Sequence, residues 1–181
     1  MKSMPPTAAQ RQQEFDELYS RFHREVWAVA YSRWSDSDLA LDIVQEAYMR
    51  LWKQWEAGEE IQNARAWLVR VARNLAEDYA KSAFRRNGTS APQTMTGIRS
   101  GEMQPPDVLE KNEALAQVRC LLGQLTPTDR DILTLRYSLD YDAAQIAEVL
   151  GIQASAVHMR LSRARARLAE ILEEGGMTSI D

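Results

Sequence analysis

"YDAAQIAEVLGIQASAVHMRLSRARARLAEIL", residues 141–172, decides the fold. Two short amphipathic runs flank a single glycine. Asp142 stands where a helix needs an N-cap, and Gln145 three residues later completes a capping box. Ile146, Ala147, Val149 and Leu150 give the first run a buried face. Gly151 sits where a tight turn requires positive φ, and Ile152 plugs the angle between the runs. A second helix starts near Ala154, with Gln153 a poor cap before it. This spacing predicts a helix-turn-helix.

Projecting the second run at about 100° per residue sorts its side chains. Val157, Leu161, Ala164, Leu168 and Ile171 fall on the core side. Opposite lie Ser155, His158, Met159, Ser162, Arg163 and Ala166, with Arg160, Arg165 and Arg167 on the flanks. From His158 to Arg167 there are four arginines and no acid. An ordinary solvated face normally mixes both signs. A helix lying in a DNA major groove instead needs small and polar groups toward base edges and arginines toward phosphates.

That run is unusual because the whole chain carries a formal charge of −4. The basic residues concentrate in two blocks. Residues 61–87 hold six Lys/Arg against two acids, whereas residues 1–60 hold seven against eleven. Two separate basic patches matter more for binding a polyanion than the acidic total does.

Outside the opening stretch, helical periodicity is nearly continuous and no strand-like alternation appears, so the expected class is all-α. Phe15, Leu18, Tyr19, Phe22, Val26, Val29 and Ala30 form one stripe. A second helix is expected from about Ser37 to Trp55 with Leu39, Ile43, Ala47 and Leu51 inward. A third follows from about Asn63, with Ala64, Leu68, Val71, Leu75 and Tyr79 as its stripe. Residues 87–107, "NGTSAPQTMTGIRSGEMQPPD", hold three glycines and three prolines, the composition of a linker. Beyond it come a helix at 108–124, a "TPT" break, a helix at about 128–138, and the helix-turn-helix. The reading is two small helical domains, 10–87 and 108–174, joined by a flexible linker at 88–107.

Several function classes drop out. One cysteine, Cys120, and two histidines allow no disulfide, no zinc site and no catalytic constellation. The expectation is therefore no enzyme, no metal and no cofactor. No stretch approaches the roughly 20 apolar residues of a membrane span, and the N-terminus lacks a signal-like apolar run. That combination suits a soluble cytoplasmic protein.

On the second helix, Asp42, Gln45, Glu46, Met49 and Lys53 share a polar face, which taken alone reads as solvated surface. On the third, Arg70, Arg73, Asn74, Glu77 and Lys81 point outward with Trp67 at the edge. Basic side chains beside an exposable ring suit unstacked bases, although a core Trp is the commoner explanation.

Three stretches in series, "ALDIVQEAYMRLWKQW" at 40–55, "ARAWLVRVARNLAEDYAKSAFRR" at 64–86 and the region from Leu125 to Leu172, together resemble bacterial RNA polymerase sigma factors of the extracytoplasmic-function group. The resemblance spans about Phe15 to Leu172. It implies that 10–87 is a sigma region-two domain and 108–174 a region-four domain. By that likeness, Asp42, Gln45, Glu46, Met49, Arg50 and Lys53 dock on the clamp helices of the polymerase largest subunit, with the flap as a further contact. Asn63, Arg65, Trp67, Arg70, Arg73 and Asn74, with the loop at about 59–66, hold the melted minus-ten element and a flipped base. Ser155, His158, Met159, Arg160, Ser162, Arg163, Arg165 and Arg167 read the duplex minus-thirty-five element. Ala156, His158 and Met159 depart from residues common in the family, which bears on promoter sequence. No sensory domain is expected after Leu172, so regulation falls to a separate anti-sigma factor; no obligate homo-oligomer is expected. Two other readings remain: a free-standing helix-turn-helix regulator, which leaves the N-terminal motifs unexplained, and a sigma-like decoy that titrates an anti-sigma factor, which leaves the four arginines unexplained.

Overall fold

The computed structural model describes residues 7–87 and 120–175. Helix α1 spans Ala8–Trp34 and opens on a capping box between Thr7 and Gln10. It ends at Ser35, whose left-handed backbone (φ 53°) lets the chain reverse. Asp36 then caps α2, Ser37–Glu56, by accepting from the Leu39 N–H. Helix α3 covers Ala64–Asn87, and Asn63 Oδ1 accepts from the Ala66 N–H at 3.1 Å to start it. The three helices pack mutually.

Their core is Val26, Val29 and Ala30 from α1, Ile43, Val44, Ala47, Tyr48 and Leu51 from α2, and Leu68, Val69, Ala72 and Ala76 from α3. The expected stripe on α3 needs correction. Val71 and Leu75 are only half-buried, and Tyr79 is exposed. Ala72 and Ala76, both fully buried, face inward instead. Small side chains let α3 approach its neighbours closely, which Tyr79 on that side would prevent. Two polar anchors fix the packing: Trp34 Nε1 donates to the Ala76 carbonyl, and the Tyr48 hydroxyl to the Leu18 carbonyl, each at 3.0 Å. Burial drives the Tyr48 hydroxyl pKa well above its ordinary value, so it remains a donor.

The second unit begins, among the described residues, with a helical segment at 120–124. The linker at 88–107 and the start of the helix expected at 108–124 lie outside the described residues. Helix α4 covers Pro127–Leu133, capped by Thr126 with Pro127 in its first turn, where a missing N–H costs nothing. The helix expected over 128–138 changes character at Thr134. Residues Thr134–Ser138 form a π-helical turn, closed by the Leu139 N–H donating to the Thr134 carbonyl. That wider turn, with Asp140 in the left-handed region (φ 52°), sets Tyr141 into the core at 2 % exposure.

Helix α5, Ala143–Leu150, has the predicted capping box of Asp142 and Gln145, and Gly151 adopts φ 65°. Helix α6 covers Ala154–Glu174; Gln153 at its N-cap makes no side-chain capping bond. Leu125, Ile132, Leu135, Ile146, Val149, Val157, Leu161 and Ala164 close the core of this unit, with Ile152 packed against it. The all-α, helix-turn-helix architecture is therefore as the sequence predicts, and the described residues form no strand. No described helix is long and apolar enough to cross a membrane.

Candidate nucleic-acid interface

Helix α6 presents the outward face that its periodicity predicts. Val157, Leu161 and Ala164 are buried, while Ser155, His158, Met159, Arg160, Ser162, Arg163, Arg165 and Arg167 are exposed. Met159 leaves 51 % of its surface in solvent, a large apolar group on an otherwise polar face. The arginines are not equivalent. Arg160, Arg163 and Arg167 line one shallow concavity with Thr126, Thr128 and Asp129. Within it Arg167 Nη1 is already bound to Asp129 Oδ2, and Asp129, 6 % exposed, also accepts from the Thr126 hydroxyl at 2.7 Å. Arg167 is therefore already half of an ion pair, whereas no acid lies within ion-pair distance of Arg160, Arg163 or Arg165 among the described residues.

The polar face of α2 is also exposed. Asp42, Gln45, Met49, Arg50 and Lys53 reach solvent, and Glu46 is half-buried. Arg50 Nε donates to Glu46 Oε1 at 2.7 Å along one turn. Leu41 and Met49 add exposed apolar surface of 51 % and 52 %. Polar groups around accessible apolar ones give the mixed character of a protein-docking patch.

Four of the six residues assigned to the minus-ten element, Asn63, Arg65, Arg70 and Arg73, come together along the start and middle of α3, but facing the second unit. Asn63 Nδ2 donates to both carboxylate oxygens of Glu148 at 3.0 and 3.1 Å. Arg70 Nη2 donates to the Glu148 carbonyl. Arg73 Nε donates to Asp131 Oδ2 at 2.8 Å. Arg65 binds Glu25 of α1 at 2.8 and 3.1 Å and lies 4.3 Å from the centre of the Tyr141 ring. The hydrogen bonds it donates to Glu25 hold the Arg65 pKa above its ordinary value despite some burial. Trp67 is half-buried against the core, and Asn74 is exposed.

The sequence reading missed the acceptors. Asp131, 1 % exposed, takes Arg33 on both oxygens and Arg73 on one. Burial alone would lower the Arg33 pKa, but its hydrogen bonds to Asp131 and the negative charge there, with Glu77 beyond, outweigh it and raise the pKa. The Tyr141 hydroxyl donates to Glu25 at 2.9 Å, joining α1, α3 and the second unit in one polar cluster. A sequence signal did exist for Asp131: it directly precedes the core pair Ile132 and Leu133, so an acid stands at the edge of a buried register.

The chain thus joins a three-helix unit carrying the basic helix α3 to a helix-turn-helix whose second helix, α6, exposes four arginines. The Sigma-70 region 2 family matches residues 18–86 and the Sigma-70 region 4 family residues 115–168. The chain is 36 % identical over 165 residues to the sigma factor SigL of Mycobacterium tuberculosis, covering 89 % of this chain and 90 % of that one. It belongs to the extracytoplasmic-function RNA polymerase sigma factors. Two solved structures share the fold. A Bartonella quintana sigma factor RpoE in complex with the anti-sigma factor NepR matches with TM-score 0.68 and 23 % identity, over 89 % of this chain and 98 % of that one. CnrH in complex with the cytosolic domain of CnrY matches with TM-score 0.62 and 25 % identity, over 90 % of each chain.

Proposed function

We propose that this chain joins core RNA polymerase in the cytoplasm as a dissociable subunit and divides promoter recognition between its two units at 10–87 and 108–174. The catalytic step belongs to the polymerase; the sigma family is not a class of enzymes. The observation that carries this residue-level reading is the exposed face of α6. Ser155, His158, Met159, Ser162 and Arg163 stand toward bases, with Arg160, Arg165 and Arg167 beside them toward phosphates. Half or more of protein–DNA hydrogen bonds go to the backbone, so those arginines set affinity and register while the central residues discriminate sequence.

In the same reading, Asp42, Gln45, Glu46, Met49, Arg50 and Lys53 dock on the clamp helices. Asn63, Arg65, Arg70, Arg73 and Asn74 hold the melted minus-ten strand, with Trp67 lining a pocket for one flipped base. Extruding a base costs a few kcal/mol of stacking, which a pocket and backbone contacts must return. An anti-sigma factor is the expected regulator, in keeping with the partners of the two structural relatives.

The test is run-off transcription on genomic fragments with purified core polymerase, followed by mapping of start sites. Discrete start sites that require this chain are expected. A chain that never co-purifies with core polymerase, yet shifts duplex DNA alone, would instead be a free-standing regulator.

A further inference from the structure

We propose that the cleft between α1 and the second unit is a binding site for a small amphipathic carboxylic acid, whose carboxylate is held by Arg130. The cleft has a volume of about 440 Å³. Trp27 and Tyr31 of α1 form one wall, and Leu122, Leu125, Leu133 and Leu168 of the second unit form the other. Close-packed interiors leave few voids larger than a water molecule, whereas ligand cavities begin at about 300 Å³. Leu125 and Leu133 are buried, and the Trp27 and Tyr31 rings stack with centres 4.6 Å apart. Such walls suit a hydrocarbon or aromatic body rather than a free inorganic anion.

One cation enters this apolar site. Arg130 stands between Asp129 and Asp131 in the chain, yet both acids are engaged elsewhere. Asp129 is bound by Arg167 and Thr126, and Asp131 by Arg33 and Arg73. Arg130 Nε is buried with no hydrogen-bond partner among the described residues. Its Nη1 reaches the Ser32 carbonyl only at 3.5 Å, longer than an ordinary N–H···O bond. A buried donor left unpaired carries its full desolvation cost, and more so when the group is charged. Burial, and then the nearby charge of Arg33, push the Arg130 pKa below its ordinary value, with Asp131 opposing them. The missing group is an acceptor of negative charge whose remainder fills apolar space. A carboxylate on an apolar body supplies both, and its bonds to a guanidinium are of the strong, charge-assisted kind.

Because the cleft draws its walls from both units, an occupant touches both. A ligand that binds only when they are packed together stabilises that packing by mass action, about a hundredfold at a hundred times Kd. An acid held there is thus an effector of how the two units sit together.

The test titrates the full chain with naphthylacetate and with its neutral amide, naphthylacetamide, by isothermal calorimetry. The two probes share the ring and differ in charge. Wild type is expected to bind the acid at one saturable site and the amide about tenfold or more weakly. The acid is also expected to raise the melting temperature more than the amide does at equal concentration. Arg130→Met keeps an unbranched side chain and removes the charge, so it is expected to bind both probes alike. Ala28→Leu enlarges a side chain that lines the cleft and is expected to weaken both about tenfold. Three results overturn the proposal: no saturable binding of the acid below about 1 mM, equal affinity of wild type for acid and amide, or a preference that survives Arg130→Met. Binding left unchanged by Ala28→Leu does so too, since the acid then sits elsewhere. Circular dichroism checks folding. If Arg130→Met does not fold, Arg130→Lys must weaken the acid and spare the amide, because lysine keeps the charge without the two-donor fork. Its failure to do so overturns the proposal equally.

Discussion

Arg33 and Asp131 lie 98 positions apart in the chain and form a two-bond ion pair at 2.9 and 2.6 Å, with only 5 % and 1 % of their side-chain surfaces exposed. Removing one partner of such a pair typically costs about 3–5 kcal/mol, whereas replacing both with apolar groups is often neutral. Arg33 lies on α1 and Asp131 on α4, so the pair ties the first unit to the second. Arg33→Met or Asp131→Leu alone is expected to destabilise the packing of α4 against α1 by about 3 kcal/mol. The double variant is expected to lose at least about 1 kcal/mol less than the sum, because Arg73 can turn toward Glu77. Urea titration followed by scattering measures the cycle; strict additivity would show that the two residues do not interact.

The helix-turn-helix offers a test of local backbone chemistry. Gly151 has φ 65°, and a Cβ built there meets nothing within 4 Å. Gly151→Ala therefore introduces no clash and should cost only the left-handed penalty of about 1–2 kcal/mol, with Gly151→Asn costing less. At the other side of the turn, Gln153 has extended cap geometry but no capping bond. Gln153→Ser is expected to stabilise by about 1 kcal/mol. Chemical denaturation of the full chain checks both; a large loss for Gly151→Asn would mean that the turn is held by something other than φ.

These two positions show which part of the fold is legible in a sequence. Asp142, Gln145 and Gly151 act within a single turn of chain, so their spacing alone specifies the structure found. The exposed face of α6 is legible for the same reason. The core face of α3 was not, because Tyr79 and Leu75 outweigh alanine on any scale of apolarity, while packing selects the small Ala72 and Ala76. The contacts of Arg33, Arg70 and Arg73 were less legible still. Each depends on an acceptor at least 58 residues away, and no local pattern reports such a pairing. The sequence marks Arg70 and Arg73 as basic and outward and is silent on Arg33; only the fold shows that all three have partners.

The arginines of α6 should differ in a measurable way. Each phosphate contact contributes about −0.9 to the slope of log K against log salt. Arg160→Ala is expected to weaken promoter binding by holoenzyme and to reduce that slope by close to one unit. Arg167→Ala should change it less, since Arg167 gives up the Asp129 bond to meet a phosphate. Core-polymerase affinity should be unchanged in both. Equal slopes for the two variants and wild type would take both side chains off the DNA.

Glu77 provides a pH readout on α3. Its carboxyl pKa is held below the ordinary value chiefly by the hydrogen bond from Lys81, against some desolvation, with added help from Arg33 and Arg73. A lowered carboxylate pKa contributes stability that is present above the ordinary value and lost as pH falls through the lowered one. Lys81→Ala is expected to move the Glu77 titration upward toward pH 4.5, the unperturbed value. Side-chain carbonyl NMR across an acid titration reads this directly, and an unmoved midpoint would assign the effect to the arginines instead.

The docking assignment on α2 makes the last prediction. Glu46 and Arg50 pair within one turn of helix, and Lys53 follows on the same face, with exposed Met49 among them. Exposed pairs of this type contribute little to stability, about 0.3–0.5 kcal/mol, so charge reversal should leave the helix folded. Glu46→Lys and Lys53→Glu are therefore expected to shift the melting temperature only slightly. If this face meets the clamp helices, the same changes should weaken association with core polymerase, mainly through slower and more salt-sensitive binding when the reversed charge lies at the rim. Surface plasmon resonance on immobilised core polymerase separates the two rates. Normal association by both variants would move the docking surface away from this face of α2.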